Sequence, residues 1–157
     1  MTRYSILLAI FILTGCNRVF NPDPLLLTME YDHLLEIRRS IAEKSPLYQA
    51  AYQRLCREAD DALKHPLYSV VDKTGLPPSG DRHDYMSQGP YWWPDPEKPD
   101  GLPYMNRDGL RNPEVYGPDF DRHRLGSLTE DVNTLTLAWF FSGNHEYAEK
   151  AAQMVQT

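Results

Sequence analysis

The chain has 157 residues, 41% hydrophobic and 24% charged, with a formal charge of -6 and a pI near 5.3, a make-up that fits about one ordinary globular domain. No Lys/Arg-rich run occurs, which excludes a broad nucleic-acid footprint and leaves any polyanionic partner to be met by a local basic pocket. Two cysteines, Cys16 and Cys56, are too few for a disulfide framework or a cysteine-based metal site.

The N-terminus has one early charge, Arg3, then an apolar run over residues 6–13, then Thr14, Gly15 and Cys16. That is the layout of a secretory leader, too short to span a membrane as a mature helix. Leu13, Thr14, Gly15 and Cys16 also resemble the lipobox of bacterial lipoproteins, in which the cysteine is acylated and becomes the new N-terminus. The expectation is a signal peptide over 1–15, lipidation at Cys16 with several acyl chains holding the protein at a membrane, and a tether over 16–27. Asn17 after the cysteine favours the outer membrane, by resemblance to the lipoprotein sorting rule. Cys56, with Leu55, Ala59 and Leu63 on one helical pattern, reads as a small core residue.

Two helices follow. Thr28 is placed to cap the first, whose apolar residues Tyr31, Leu34, Leu35 and Ile41 share a face, with acids in the opening turn and Arg38, Arg39 and Lys44 later. Ser45 as N-cap and Pro46 at the first helical position start the second, which runs to about Lys64 through Leu47, Ala50, Ala51, Leu55, Ala59 and Leu63.

From residue 65 to 123 the character changes. Ten of the thirteen prolines and six of the nine glycines lie between Pro66 and Pro118, which rules out long helices and central strands. The segment still carries Tyr68, Tyr85, Tyr91, Trp92, Trp93, Tyr104, Tyr116 and Phe120, whereas disordered segments are poor in aromatics. An ordered functional loop is expected. Aromatic faces in a proline-stiffened loop suit the apolar C–H faces of sugar rings, and Asp81, Arg82, His83, Asp84, Asn106, Arg107, Asp108 and Arg111 offer donors and acceptors around them. Trp92 and Trp93 are adjacent, so in extended chain one points to each side, and one can pin the loop while the other faces a ligand.

Ser127 or Thr129 is placed to cap a third helix through Leu128, Val132, Leu135, Trp139 and Phe140. Ser142, Gly143 and Asn144 break it, and Tyr147, Ala148, Ala151, Ala152 and Val155 begin a fourth. Short connections make antiparallel neighbours, so the residues describe an all-α array of helix hairpins around one long Pro/Gly/aromatic-rich loop. The last helix ends at Thr157 with an unmatched apolar face, and the chain is expected to be the first portion of a longer protein.

The stretches PPSGDRHDYMS (77–87), PYWWPDP (90–96), GLPY (101–104), RDG (107–109) and NPE (112–114) resemble the N-terminal signature of bacterial alginate-lyase-domain proteins, and the resemblance extends over residues 28–157. It implies an (α/α) toroid, here incomplete, in a secreted or periplasmic polysaccharide lyase that needs no cofactor and cleaves uronic-acid polymers such as alginate by β-elimination. The implied partner is an acidic polysaccharide, and Arg82, His83, Asp84, Tyr85, Tyr91, Trp92, Trp93 and Arg107 are the implied substrate-binding residues. Elimination needs the C5-side carboxylate neutralised, a base for the C5 proton and an acid for the departing O4. In the family an Asn-His pair with an Arg and a Tyr fills these roles on later helices. Asn144 and His145 are adjacent but lie in the hairpin turn, where they read as a helix cap, so the catalytic residues are expected beyond residue 157.

Three alternatives stand beside this. His83, Asp84, Asp119, Asp121 and His123 are chemically suited to zinc or manganese, yet their spacing matches no compact ligand motif, and no metal is expected. His33 and His65 read as ordinary helix-face and helix-end residues. A surface lipoprotein that binds glycans without cleaving them is the competing function.

Overall fold

A computed structural model describes residues 29–156. The expected signal peptide, Cys16, the tether and Thr28 lie outside the described residues. Within them the chain is mostly helical: α1 (Tyr31–Ala42), α2 (Pro46–Ala62), α3 (Arg122–Ser142) and α4 (His145–Val155), with a two-residue antiparallel ladder of β1 (Trp92–Trp93) and β2 (Met105–Asn106) in the long segment between α2 and α3. Single 3-10 turns at Val70–Asp72 and Pro113–Tyr116 punctuate that segment.

Helix α3 is the centre. Leu135 and Ala138 on it pack with Ala59 and Ala62 of α2 and with Tyr147, Ala151 and Met154 of α4, and Leu55, Leu63, Tyr68, Leu128 and Val132 close round them. Four alanines at this junction let the helix axes approach closely, because interaxial distance follows side-chain size at the contact. Helix α1 contributes no buried residue; Tyr31 meets Phe140 edge to face at 6.4 Å and Arg38 lies over the same ring at 5.4 Å.

Polar bonds tie the helices at fixed points. Tyr147 of α4 donates its hydroxyl to Asp60 of α2 at 2.6 Å, and that carboxylate, helped by burial, pushes the phenol up to about 12. Asp131 of α3, largely buried, accepts from His65 Nδ1 and from the Tyr68 hydroxyl, each at 2.9 Å. Burial first, and that carboxylate next, raise the Tyr68 phenol. His65 is thus a bonded residue at the α2 exit rather than a plain helix end.

Helix boundaries depart from the local signals in three places. Pro46 does open α2, but the Ser45 side chain makes no capping bond. The first helix starts at Tyr31 with Glu30 as its N-cap, and the Glu30 side chain makes no capping bond. The third helix starts at Arg122, a turn or more before Ser127 and Thr129. Its start is set by long-range contacts, since Asp121 is buried and its carboxylate faces Lys73 at 3.1 Å instead of capping the helix. The α3–α4 turn follows the sequence: Gly143 sits at φ 76 and donates to the Trp139 carbonyl at 2.8 Å, a left-handed helix end that favours glycine. Asn144 then caps α4 by accepting from the Glu146 amide at 3.1 Å.

Candidate functional site

The long segment is held by two buried polar knots. In the first, Lys73 and Asp121 are each 1% exposed. The Lys73 ammonium faces the Asp121 carboxylate at 3.1 Å and donates to the carbonyls of Val70 at 2.5 Å and Arg82 at 2.7 Å. Asp121 Oδ2 accepts from the Met86 amide at 2.8 Å, and its own amide returns a bond to the Met86 carbonyl at 2.8 Å. One ion pair therefore fastens residues 70, 82 and 86 to the head of α3. Alongside it, Thr74 bonds Asp119 through its hydroxyl and the Pro118 carbonyl through its amide.

The second knot is Asn112, fully buried, whose side chain donates to the Trp92 carbonyl at 3.0 Å and accepts from the Glu114 amide at 3.0 Å. Gln88 donates to the same Trp92 carbonyl at 2.6 Å. With its carbonyl doubly held and the ladder pairing Trp92 with Asn106, the backbone under the two tryptophans has a fixed direction.

The side chains then diverge. Trp92 is 44% exposed, and its ring lies so close to Gly89 that a Cβ there would meet Trp92 Cδ1 at 2.6 Å. Trp93 is half-buried; its indole nitrogen donates to the Leu110 carbonyl at 3.1 Å, and the Arg107 guanidinium lies 5.4 Å from its ring centre. Tyr91, also half-buried, accepts the Arg107 amide on its carbonyl at 2.8 Å. Arg111 bonds the Tyr91 side chain, which raises its already high pKa, and donates to the Tyr116 hydroxyl at 3.1 Å.

The remaining expected site residues occupy a separate turn. Arg82 is exposed but spends one guanidinium nitrogen on the Lys73 carbonyl at 3.0 Å. His83 is bonded to Asp81 through both its amide and Nδ1, each at 2.9 Å. The amide bond first, and the ring bond next, hold the Asp81 carboxyl below its usual range. Asp84 is exposed, with its amide on the Asp81 carbonyl at 3.2 Å. Tyr85, 49% exposed, lines a small cavity of about 60 Å³ with Tyr68, Val70, Arg124 and Leu128. So Tyr91, Trp92, Trp93 and Arg107 come together on the ladder, and Arg82, His83 and Asp84 belong to a neighbouring turn organised by Asp81 and Lys73.

The residues weighed as metal ligands are not brought together. Asp121 is committed to Lys73, Asp119 to Thr74 and His83 to Asp81, and among the described residues no three His, Cys, Asp or Glu side chains form a metal-sized group. Cys56 is a half-buried free thiol. Lys73 and Gln88 organise the site yet carry no signal in the sequence beyond their place in the long segment, because their partners are backbone carbonyls and a distant carboxylate; Asn112 stands in the NPE stretch, but its bond to the Trp92 carbonyl depends on how the loop returns.

The segment so organised, with α3 and α4, is also where the chain matches known proteins. The pattern of one protein family, described as alginate lyase, fits residues 69–157. The chain belongs to the alginate lyase family. A solved structure of an alginate lyase from Bacteroides ovatus is 50% identical to it, with a TM-score of 0.72, over 80% of this chain. The match covers 32% of that lyase, so this alginate-lyase-family chain spans about a third of its length. Among curated proteins no match is found.

Proposed function

We propose that the chain serves a polysaccharide lyase that cleaves uronic-acid polymers by β-elimination, and that its own part is to hold the acidic glycan on the ladder surface. The observation that carries this is the presence on one ladder of an exposed tryptophan and of arginines that lack acidic partners. Trp92 stands out from the ladder, and Arg107, which follows β2 and lies over the Trp93 ring, and Arg111 after it take part in no ion pair among the described residues. A uronate unit needs both features, a flat apolar face for its C–H surface and a cation for its carboxylate. Membership of the alginate lyase family supports the choice of an acidic polymer.

In the elimination a base takes the C5 proton, that electron pair forms the C4–C5 double bond, the C4–O4 bond breaks and O4 takes a proton from an acid. Charge builds beside the uronate carboxylate, so donors aimed at it lower the barrier. Arg107 and Arg111 suit carboxylate binding away from the broken bond, and Trp92 suits orienting the ring. Asn144 caps α4, and Asn144 and His145 are exposed in that turn, so neither is assigned to chemistry. An (α/α) toroid completed by further helix hairpins is the architecture proposed for the whole lyase domain, and Cys16 is proposed as its lipid anchor in the periplasm or outer membrane.

Affinity electrophoresis of the chain through gels containing alginate, polyglucuronate or a neutral glucan tests the binding role. The expected result is retardation by the two acidic polymers alone, with little rise in the ultraviolet absorbance of unsaturated uronates on incubation. Migration unaffected by either acidic polymer would contradict the proposal.

A further inference from the structure

We propose that Gly89 is a positioning residue of the ladder surface, whose missing side chain seats the Trp92 indole in the orientation the glycan meets; this rests on the acidic-glycan reading above. A Cβ at residue 89 would stand 2.6 Å from Trp92 Cδ1, 3.3 Å from Nε1 and 3.6 Å from Cγ. The five-membered ring of the indole thus occupies the space a side chain would take, and the six-membered end is left for the ligand.

Backbone conformation does not call for glycine at this position. Among the described glycines a positive φ occurs at Gly80, Gly101, Gly109 and Gly143, and not at Gly89. Pro90 after it biases residue 89 toward extended backbone, which alanine adopts readily. Gly89 is also exposed, and the three atoms nearest to an added Cβ all belong to Trp92. The tryptophan ring is what excludes a side chain there.

The backbone under the ring is held at both ends of the residue. The Trp92 amide donates to the Gly89 carbonyl at 3.1 Å, which closes a turn over residues 89–92. Its carbonyl accepts from Gln88 at 2.6 Å and from the fully buried Asn112 at 3.0 Å. The ring, 44% exposed, is the part free to move, so a methyl group at residue 89 displaces the indole and leaves the chain path as it is. A ring fixed before the ligand arrives loses little freedom on binding, and a displaced ring no longer lies where the sugar face is held.

Gly89→Ala, Trp92→Ala and the double variant test this by calorimetric titration with a mannuronate hexasaccharide, by Tm, and by fluorine NMR of chain carrying 5-fluorotryptophan. The three tryptophans give three resonances, and the one missing from Trp92→Ala belongs to Trp92. Gly89→Ala is expected to move that resonance, leave Tm nearly unchanged and weaken binding about fivefold, the low end of what losing an aromatic anchor removes. Added to Trp92→Ala it should weaken binding no further, because both changes act on one ring. An unmoved Trp92 resonance, or normal binding by Gly89→Ala, would overturn the seat; if Trp92→Ala still binds weakly, the Trp92 surface stands. Further weakening in the double variant, with a lowered Tm, would make Gly89 a structural residue of the turn and overturn the proposal as well. No binding by the unaltered chain would overturn the acidic-glycan reading, and the ligand role of Gly89 with it.

Discussion

Tyr147 shows how a single hydroxyl ties two helices and makes stability depend on pH. Its ring is 4% exposed and its proton is shared with the exposed carboxylate of Asp60 at 2.6 Å. The folded phenol titrates at about 12 against a free value of 10.0, so the folded state binds this proton more tightly than the unfolded one. That contribution is complete below about pH 10 and falls as pH rises from there toward 12. Tyr147→Phe should therefore lose about 1.5 kcal/mol at neutral pH, the low end for a hydrogen bond to a charged group. Its Tm should fall less steeply than that of the unaltered chain between pH 10 and 12. Parallel alkaline melting curves would show that the bond contributes nothing. The diverging tryptophans belong to the same scale: alternation along extended chain is a property of neighbouring residues, so the divergence was legible from WW itself, though not that Trp92 is the exposed one and Trp93 the half-buried, hydrogen-bonded one. The stacking of Arg107 on Trp93 and the bridge from Arg111 to Tyr116 were not, because they depend on how the loop returns.

Elements divide along the same line. Helices α2 and α4 and the Gly143 turn were readable because Pro46, Gly143 and Asn144 act on their immediate neighbours. The start of α3 was not, since Asp121 is withdrawn from capping by Lys73 and Met86, which the sequence places far away. The same ion pair decides whether the long segment is ordered. Lys73→Met leaves the Asp121 carboxylate buried with no cation and releases the carbonyls of Val70 and Arg82. The expected loss is about 3–5 kcal/mol, read as a lowered Tm and as new protease cleavage within residues 70–90 while α3 and α4 stay intact. A variant as stable and as protease-resistant as the unaltered chain would mean that the segment is held by something other than this pair.

At the scale of the molecule, three helices packed on alanines support one face on which an irregular segment is fastened, and the segment carries the aromatics and unpaired arginines. The all-α class and the family were legible because helix periodicity and the run from Gly80 to Glu114 are dense local signals. How the helices complete a domain was not, because this chain spans 32% of the solved lyase it matches. Localisation is a whole-molecule property that rests on the first seventeen residues: Arg3, the apolar run over residues 6–13, Leu13 to Cys16, and Asn17. The chain expressed in a Gram-negative host should incorporate labelled palmitate and sediment with membranes, and Cys16→Ala should do neither. Equal label on both would remove the lipid anchor.

Whether the ladder presents a sugar-binding tryptophan is the question on which the function turns, and a paired titration answers it. Trp92→Ala and Trp93→Ala are compared with the unaltered chain for calorimetric binding of a mannuronate hexasaccharide and for Tm. Trp92→Ala should lose about 1–3 kcal/mol of binding, as when an aromatic anchor leaves a binding hot spot, with Tm nearly unchanged because its ring is 44% exposed. Trp93→Ala should instead melt earlier, losing its bond to Leu110 and its packing under Arg107. Normal binding by Trp92→Ala, with both variants melting early, would make the two tryptophans a structural strap and contradict the account.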